Sequence, residues 1–168
     1  PDSIDYDLLK LINVRLLVFH HQDKWRIEEL SVGLGRVFSI PNVEKTDPYQ
    51  CFDRLKTSDT LKVALIEEIP LSNVNGQVKI ISQQLNIDDE VFQVIVTEAP
   101  VLLIRSETWA QGWFALIDGQ KKDVIRVDCA LQGVWLEPGS HTIEFVYRPF
   151  GYPLGAWISL STFIGVFI

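Results

Sequence analysis

The 168-residue chain contains no methionine and begins at Pro1, so the expectation is an excised or processed piece rather than a complete translation product. Cysteine is nearly absent, and Cys51 and Cys129 lie far apart and match no metal-ligand spacing. A pair makes no disulfide framework; the reading is two buried free thiols, with a bridge as the alternative. Cations are also scarce, 15 Lys and Arg against 22 Asp and Glu, giving a net charge of −7. Nucleic-acid partners need clustered basic residues and are set aside. No cationic stretch followed by an apolar run opens the chain, so no signal peptide is visible. The glycines form neither G-x-G-x-x-G nor G-x-x-x-x-G-K-[ST], which removes a phosphate cradle and leaves no cofactor to expect.

What is present suffices for one substantial core, since 47% of the residues are apolar. Ser3 reads as the cap of a short helix carrying Ile4, Leu8, Leu9 and Ile12, stopped at Asn13. VRLLVF, Trp25 to Leu30 and Arg36 to Ile40 follow as strands. Asp47-Pro48 then reads as a helix start, with Tyr49, Phe52 and Leu55 on one face. Leu61 to Glu67, Val78 to Leu85, Val91 to Thr97 and Val101 to Glu107 are short β-branched runs between turn residues, the rhythm of an antiparallel sandwich. Asp118-Gly119 falls between two apolar segments as a tight hairpin turn, and Pro138-Gly139 separates two further strands. In the last of these His141, Ile143, Phe145 and Tyr147 alternate with Thr142, Glu144, Val146 and Arg148, an apolar face against a wet one.

From Leu154 to Ile168 the run LGAWISLSTFIGVFI carries no charge. A full span needs roughly 20 apolar residues. Arg148 and Tyr152 before the run, with Trp157 just inside it, are the cationic and aromatic mixture of a headgroup boundary. The expectation is a truncated membrane helix; a buried C-terminal strand or helix is the alternative.

Gly112-Trp113-Phe114-Ala115-Leu116-Ile117-Asp118-Gly119 resembles the G-W-x-A-x-V-D-G signature of YfhO-like bacterial multi-pass membrane proteins, relatives of glycosyltransferases that use lipid-linked sugars. Pro138-Gly139, His141, Glu144-Phe145, Tyr147 and Pro149 look like that family's P-A-G-x-H-x-V-x-F-x-Y-x-P, and Gly155 with Ser159 matches its G-x-x-x-S. LLKLINVRLLV looks like the family's domain start, with Ile12 and Leu16 where Leu and Tyr are usual. Gln111 and Ser140 depart from the family's Pro and Lys, both in turns. The resemblance implies a domain on the outer face of the cell membrane in a parent with many membrane helices. It supplies no catalytic residue here.

The acidic pairs Glu28-Glu29, Glu67-Glu68 and Asp88-Asp89 read as solvated faces and turns, because neighbours in a strand point to opposite sides and cannot flank one glycosidic bond. His20-His21 lacks ligand spacing and reads as a strand end; no metal site is expected. His141 reads as a turn-stabilising hydrogen bond. No nucleophile elbow surrounds Ser106 or Ser159, and Cys51 has no activating companion, so no catalytic residue is assigned. Among the tryptophans, Trp113 and Trp135 read as core, and Trp109, beside Thr108, Ala110 and Gln111, is the candidate carbohydrate-stacking residue.

The expected fold is therefore mainly β: an antiparallel, jelly-roll-like β-sandwich over residues 1–153 with one or two short helices, then the start of a transmembrane helix over 154–168. The expected function is a non-catalytic extracytoplasmic accessory domain of a polytopic membrane protein concerned with cell-envelope glycan or glycolipid transfer. Its partners would be the membrane and a glycan or lipid-linked sugar. The alternative is an independent carbohydrate-binding module.

Overall fold

The computed structural model describes residues 5–21, 24–30, 33–68, 76–85, 90–149 and 151–166. In chain order the elements are α1 Tyr6–Leu11, β1 Leu16–His21, β2 Lys24–Glu29, β3 Val37–Ser39, β4 Asn42–Lys45, α2 Cys51–Thr57, β5 Val63–Ile66, β6 Gln77–Leu85 and β7 Glu90–Thr97. They continue with β8 Val101–Thr108, β9 Trp113–Ile117, β10 Gln120–Asp123, β11 Ile125–Val127, β12 Leu131–Leu136, β13 Gly139–Tyr147 and α3 Tyr152–Val166. The fold is mainly β, as the turn-punctuated apolar runs imply.

Alternation makes the sandwich. In β7, Phe92, Val94 and Val96 are buried while Gln93, Ile95 and Thr97 face outward. That strand belongs to a five-stranded sheet ordered β10-β9-β13-β7-β6, which faces a six-stranded sheet ordered β3-β8-β12-β11-β5-β4. One core cluster joins them: Phe92, Val94, Ile143 and Phe145 from the first meet Val101, Leu103, Val134 and Leu136 from the second. Pairing is antiparallel except between β4 and β5. The Asp118-Gly119 turn forms the β9–β10 hairpin, with positive φ at both residues (52° and 78°). The Pro138-Gly139 turn makes no hairpin; it carries the chain from β12 in one sheet to β13 in the other.

β8 is buried without interruption from Val101 to Arg105. Its alternate residues Leu102 and Ile104 form a second cluster with Phe38, Val127 and Leu131, against which Leu8 and Leu11 of α1 pack. Burial on both faces explains the unbroken VLLI run. At the start of α1 the cap is Asp5, whose carboxylate accepts from the amides of Asp7 and Leu8. Ser3, the expected cap, lies outside the described residues, as do Ile4 and Asp88-Asp89.

Two expectations are corrected around α2. Asp47 accepts from the Tyr49 amide and forms a turn, and the helix starts one turn later at Cys51. Its packed face is Cys51 and Leu55 against Leu65, not Tyr49 and Phe52, which are 95% and 64% exposed. The cause is covalent: Cys51 and Cys129 are not free thiols but a disulfide, their Cα atoms 5.7 Å apart across 78 residues of sequence. It fixes α2 to the β11–β12 turn, whose residues Asp128 and Cys129 both have positive φ.

Closing so long a loop removes much unfolded-state entropy. Reduction, or the paired change Cys51→Ala with Cys129→Ala, is expected to lower the unfolding free energy by about 2–4 kcal/mol. Urea titrations with and without reductant measure this, and coincident midpoints would contradict it.

Candidate functional site

Trp109 leaves the end of β8 half-buried, its indole nitrogen donating to the Val124 carbonyl at 3.0 Å and its backbone amide to Ala130. It borders a cleft of about 380 Å³ lined also by Ile66, Glu67, Glu68, Ile125 and Arg126. The Arg126 guanidinium lies 5.5 Å from the centre of the Trp109 ring and pairs with Glu67. Glu67 and Glu68 both reach this cleft because β5 ends at Ile66, so strand alternation does not separate them as expected. An aromatic edge beside carboxylates and a guanidinium offers stacking and hydrogen bonds to a sugar ring. The sequence reading took Glu67-Glu68 for a solvated pair and passed over Arg126, since strands some 60 residues apart bring them to Trp109.

A second cluster closes the end of the sandwich where the chain enters β3 and leaves β13. Arg105, 3% exposed, donates to Glu90 and to the Gln132 side chain, and its guanidinium lies 4.7 Å from the Trp113 ring and 4.8 Å from Phe145. Gln132 in turn donates to the Thr108 carbonyl. Arg36 shares Glu90, pairs with Glu107 and donates to the Ser106 carbonyl. These charges are paired and hydrogen-bonded, the condition under which buried ions are tolerated.

The motif residues Asp118 and His141 meet. His141 Nδ1 lies 2.7 Å from the Asp118 carboxylate and Nε2 lies 2.9 Å from the Glu137 carbonyl. The other Asp118 oxygen accepts from the Thr142 amide. Both partners of the imidazole are acceptors, an arrangement that favours the doubly protonated ring. Partial burial by itself would lower the His141 pKa, but the Asp118 and Glu137 contacts hold it above the ordinary histidine value. The Thr142 amide and then His141 hold Asp118 below its usual range. The contacts are structural, as the sequence suggests for His141.

Asp128 is the opposite case. One of its carboxylate oxygens accepts from the Leu65 amide at 2.7 Å, and the other is buried without a partner among the described residues. Burial pushes its pKa up to about 7, against the Leu65 hydrogen bond.

The three expected membrane-interface residues lie at the sandwich end closed by Arg105. Arg148 follows β13, its amide bonded to the Gly112 carbonyl; Gly112 has φ +107° and no room for a Cβ, which would sit 2.7 Å from the Arg148 carbonyl oxygen. α3 begins at Tyr152, two residues before the uncharged run, and leaves Trp157 70% exposed. The Tyr152 side chain lies outside the described ones. No described helix is long and apolar enough to cross a membrane.

A feature absent from the sequence reading sits at this same end. Register pairs Val18 with Ile27 and His20 with Trp25, so one face of the β1–β2 hairpin presents Leu16, Val18, Trp25 and Ile27. Trp25 and Ile27 are 73% and 71% exposed, with His20 edge-on to Trp25. The hairpin's root, where Leu30 bonds to Arg15, leads to β3 through Leu34 and Arg36, beside Glu90 and its strand partner Phe145 on β13, the strand that leads to α3.

No protein-family profile matches the chain, and no curated protein or solved structure is significantly similar to it.

Two pH effects follow. Because His141 is raised, its contribution is complete below the unfolded value of 6.5 and is lost as pH rises through the folded one. A proton NMR titration should place His141 above 6.5, and Asp118→Asn should bring it down; an unmoved value would refute the pairing. Asp128 acts in the same sense over a lower window: between 3.8 and about 7 the folded state keeps a proton that the unfolded state loses, so stability falls as pH rises through that window. The fall is on the order of 4 kcal/mol at most. Asp128→Asn should flatten it in urea titrations between pH 4 and 8, and an unchanged slope would exonerate Asp128.

Proposed function

We propose that this chain is a non-catalytic, membrane-associated β-sandwich domain of the outer face of the cell membrane, serving a polytopic partner or parent concerned with cell-envelope glycan or glycolipid transfer. The observation that carries the reading is the rooting of two apolar appendages, the β1–β2 hairpin face and α3, at one end of the sandwich. Water-facing surfaces rarely gather Leu16, Val18, Trp25 and Ile27 into one patch, and a two-stranded hairpin is marginal alone. A bilayer surface at that end would cover both. The disulfide supports an oxidising compartment outside the cytosol. The likeness of the Gly112–Gly119 and Pro138–Pro149 segments to YfhO-like proteins supports the same placement and supplies the glycan-transfer context.

A jelly-roll-like winding belongs to this proposal. It is supported by the successive pairs β7 with β13, β8 with β12 and β9 with β10, taken alternately in the two sheets.

A second reading, an independent carbohydrate-binding module, is favoured by the Trp109 cleft with its Glu67, Glu68 and Arg126 lining. It calls for glycan-array binding by the chain that is lost in both Trp109→Ala and Glu68→Ala.

The membrane reading is tested by flotation with phosphatidylcholine–phosphatidylglycerol vesicles. The chain should float with the lipid, and Trp157→Glu combined with Ile27→Glu should reduce the bound fraction roughly tenfold or more, since one buried charge at a bilayer costs about 2.5–3.5 kcal/mol at full depth. A wild-type chain that stays with the aqueous fraction would refute it.

A further inference from the structure

We propose that the β1–β2 hairpin selects anionic lipid: its apolar face enters the bilayer boundary, and Arg15, Lys24 and Arg26 on the opposite face engage the negatively charged headgroups. The inference rests on the membrane reading above and names the lipid class for it. Register makes the hairpin an amphipathic ribbon. Along β2, Lys24 and Arg26 alternate with Trp25 and Ile27, and Arg15 stands opposite Leu30 at the root. One face therefore carries Leu16, Val18, His20, Trp25 and Ile27, with Glu29 at its root end. The described side chains of the other are Arg15, Leu17, Lys24, Arg26, Glu28 and Leu30. Asp23, in the turn, lies outside the described residues.

That second face sets three exposed cations against one carboxylate, Glu28, which accepts from the Tyr6 hydroxyl of α1. Among the described residues none of the three cations has a carboxylate at ion-pairing distance, whereas Arg36, Arg54, Arg105 and Arg126 are each paired. Apolar side chains on one face and unpaired cations on the other suit a ribbon lying flat in a bilayer surface. The apolar face sinks to the acyl boundary, and the long Lys and Arg stems extend to the headgroups beside it. A chain of net charge −7 is repelled by an anionic surface unless it presents a locally basic one, and this hairpin joins such a face to exposed apolar side chains. A zwitterionic surface would cover the apolar face and leave the cations unused. An acidic protein would engage the cations and leave Trp25 and Ile27 in water. An anionic leaflet satisfies both faces.

Flotation of the full chain with vesicles of phosphatidylcholine alone, and of equimolar phosphatidylcholine and phosphatidylglycerol, tests this. Partitioning into the mixed vesicles should be about tenfold stronger or more, and high salt should bring it down to the phosphatidylcholine value. Arg15→Gln with Lys24→Gln and Arg26→Gln, all exposed positions, should abolish the preference and leave binding to phosphatidylcholine unchanged. Lys79→Gln with Lys121→Gln and Lys122→Gln changes the net charge equally from the sandwich strands β6 and β10 and should preserve it. Equal partitioning of the wild type into both compositions would overturn lipid selection and keep the membrane reading. A preference that survives the hairpin variant, or that the sandwich variant loses to the same extent, would do the same. A chain that floats with neither composition removes both claims.

Discussion

A single guanidinium ties the two sheets together at the end where the chain enters and leaves the sandwich. Arg105 sits on β8 of the six-stranded sheet, yet its flat faces lie near Trp113 and Phe145 of the five-stranded one and its donors are taken by Glu90 and Gln132. Such an arrangement stabilises only when complete: removing one partner of a buried ion pair costs about 3–5 kcal/mol, because the remaining charge is stranded. Arg36 extends the cluster to the residue that precedes β3, and Phe145 lies on the strand that leads to α3. Both appendages thus join the sandwich beside this one buried charge.

From that anchor the rest of the molecule divides by function. The end away from the appendages closes with plain turns, among them Asp118-Gly119 and Pro138-Gly139, held by the His141 side chain. The flank carries the disulfide and the Trp109 cleft, which share Ile66, Glu67 and Arg126 between their linings. The outer sheet face carries Lys121 and Arg148, each beside the Phe114 ring. Apolar surface gathers instead where hairpin and helix are rooted.

Much of the fold was legible in the sequence because one face of the five-stranded sheet meets water. Val91 to Thr97 and His141 to Tyr147 alternate accordingly, and Asp118-Gly119 announces its own turn. The six-stranded sheet was harder to read: β8 is buried on both faces and has no alternation, and β4, NVEK, is a largely exposed strand without apolar rhythm that went unrecognised. The disulfide was misread because a separation of 78 residues carries no information about distance in space. Of the candidate site, Trp109 could be found as an aromatic in a turn-like stretch, but its partners Glu67 and Arg126 meet only through sheet topology. The hairpin's open face was missed for another reason. VRLLVF and WRIEEL look like ordinary strands, and only the absence of a covering layer among the described residues distinguishes them.

The central claim is that hairpin and helix address one lipid surface. Variants retaining a single tryptophan, bound to vesicles whose acyl chains carry bromine, measure this through fluorescence quenching. Trp25 and Trp157 should each be quenched while Trp135, packed against the core, is not. Quenching of Trp157 with Trp25 untouched would mean that the two appendages do not share a surface, and the account would fail.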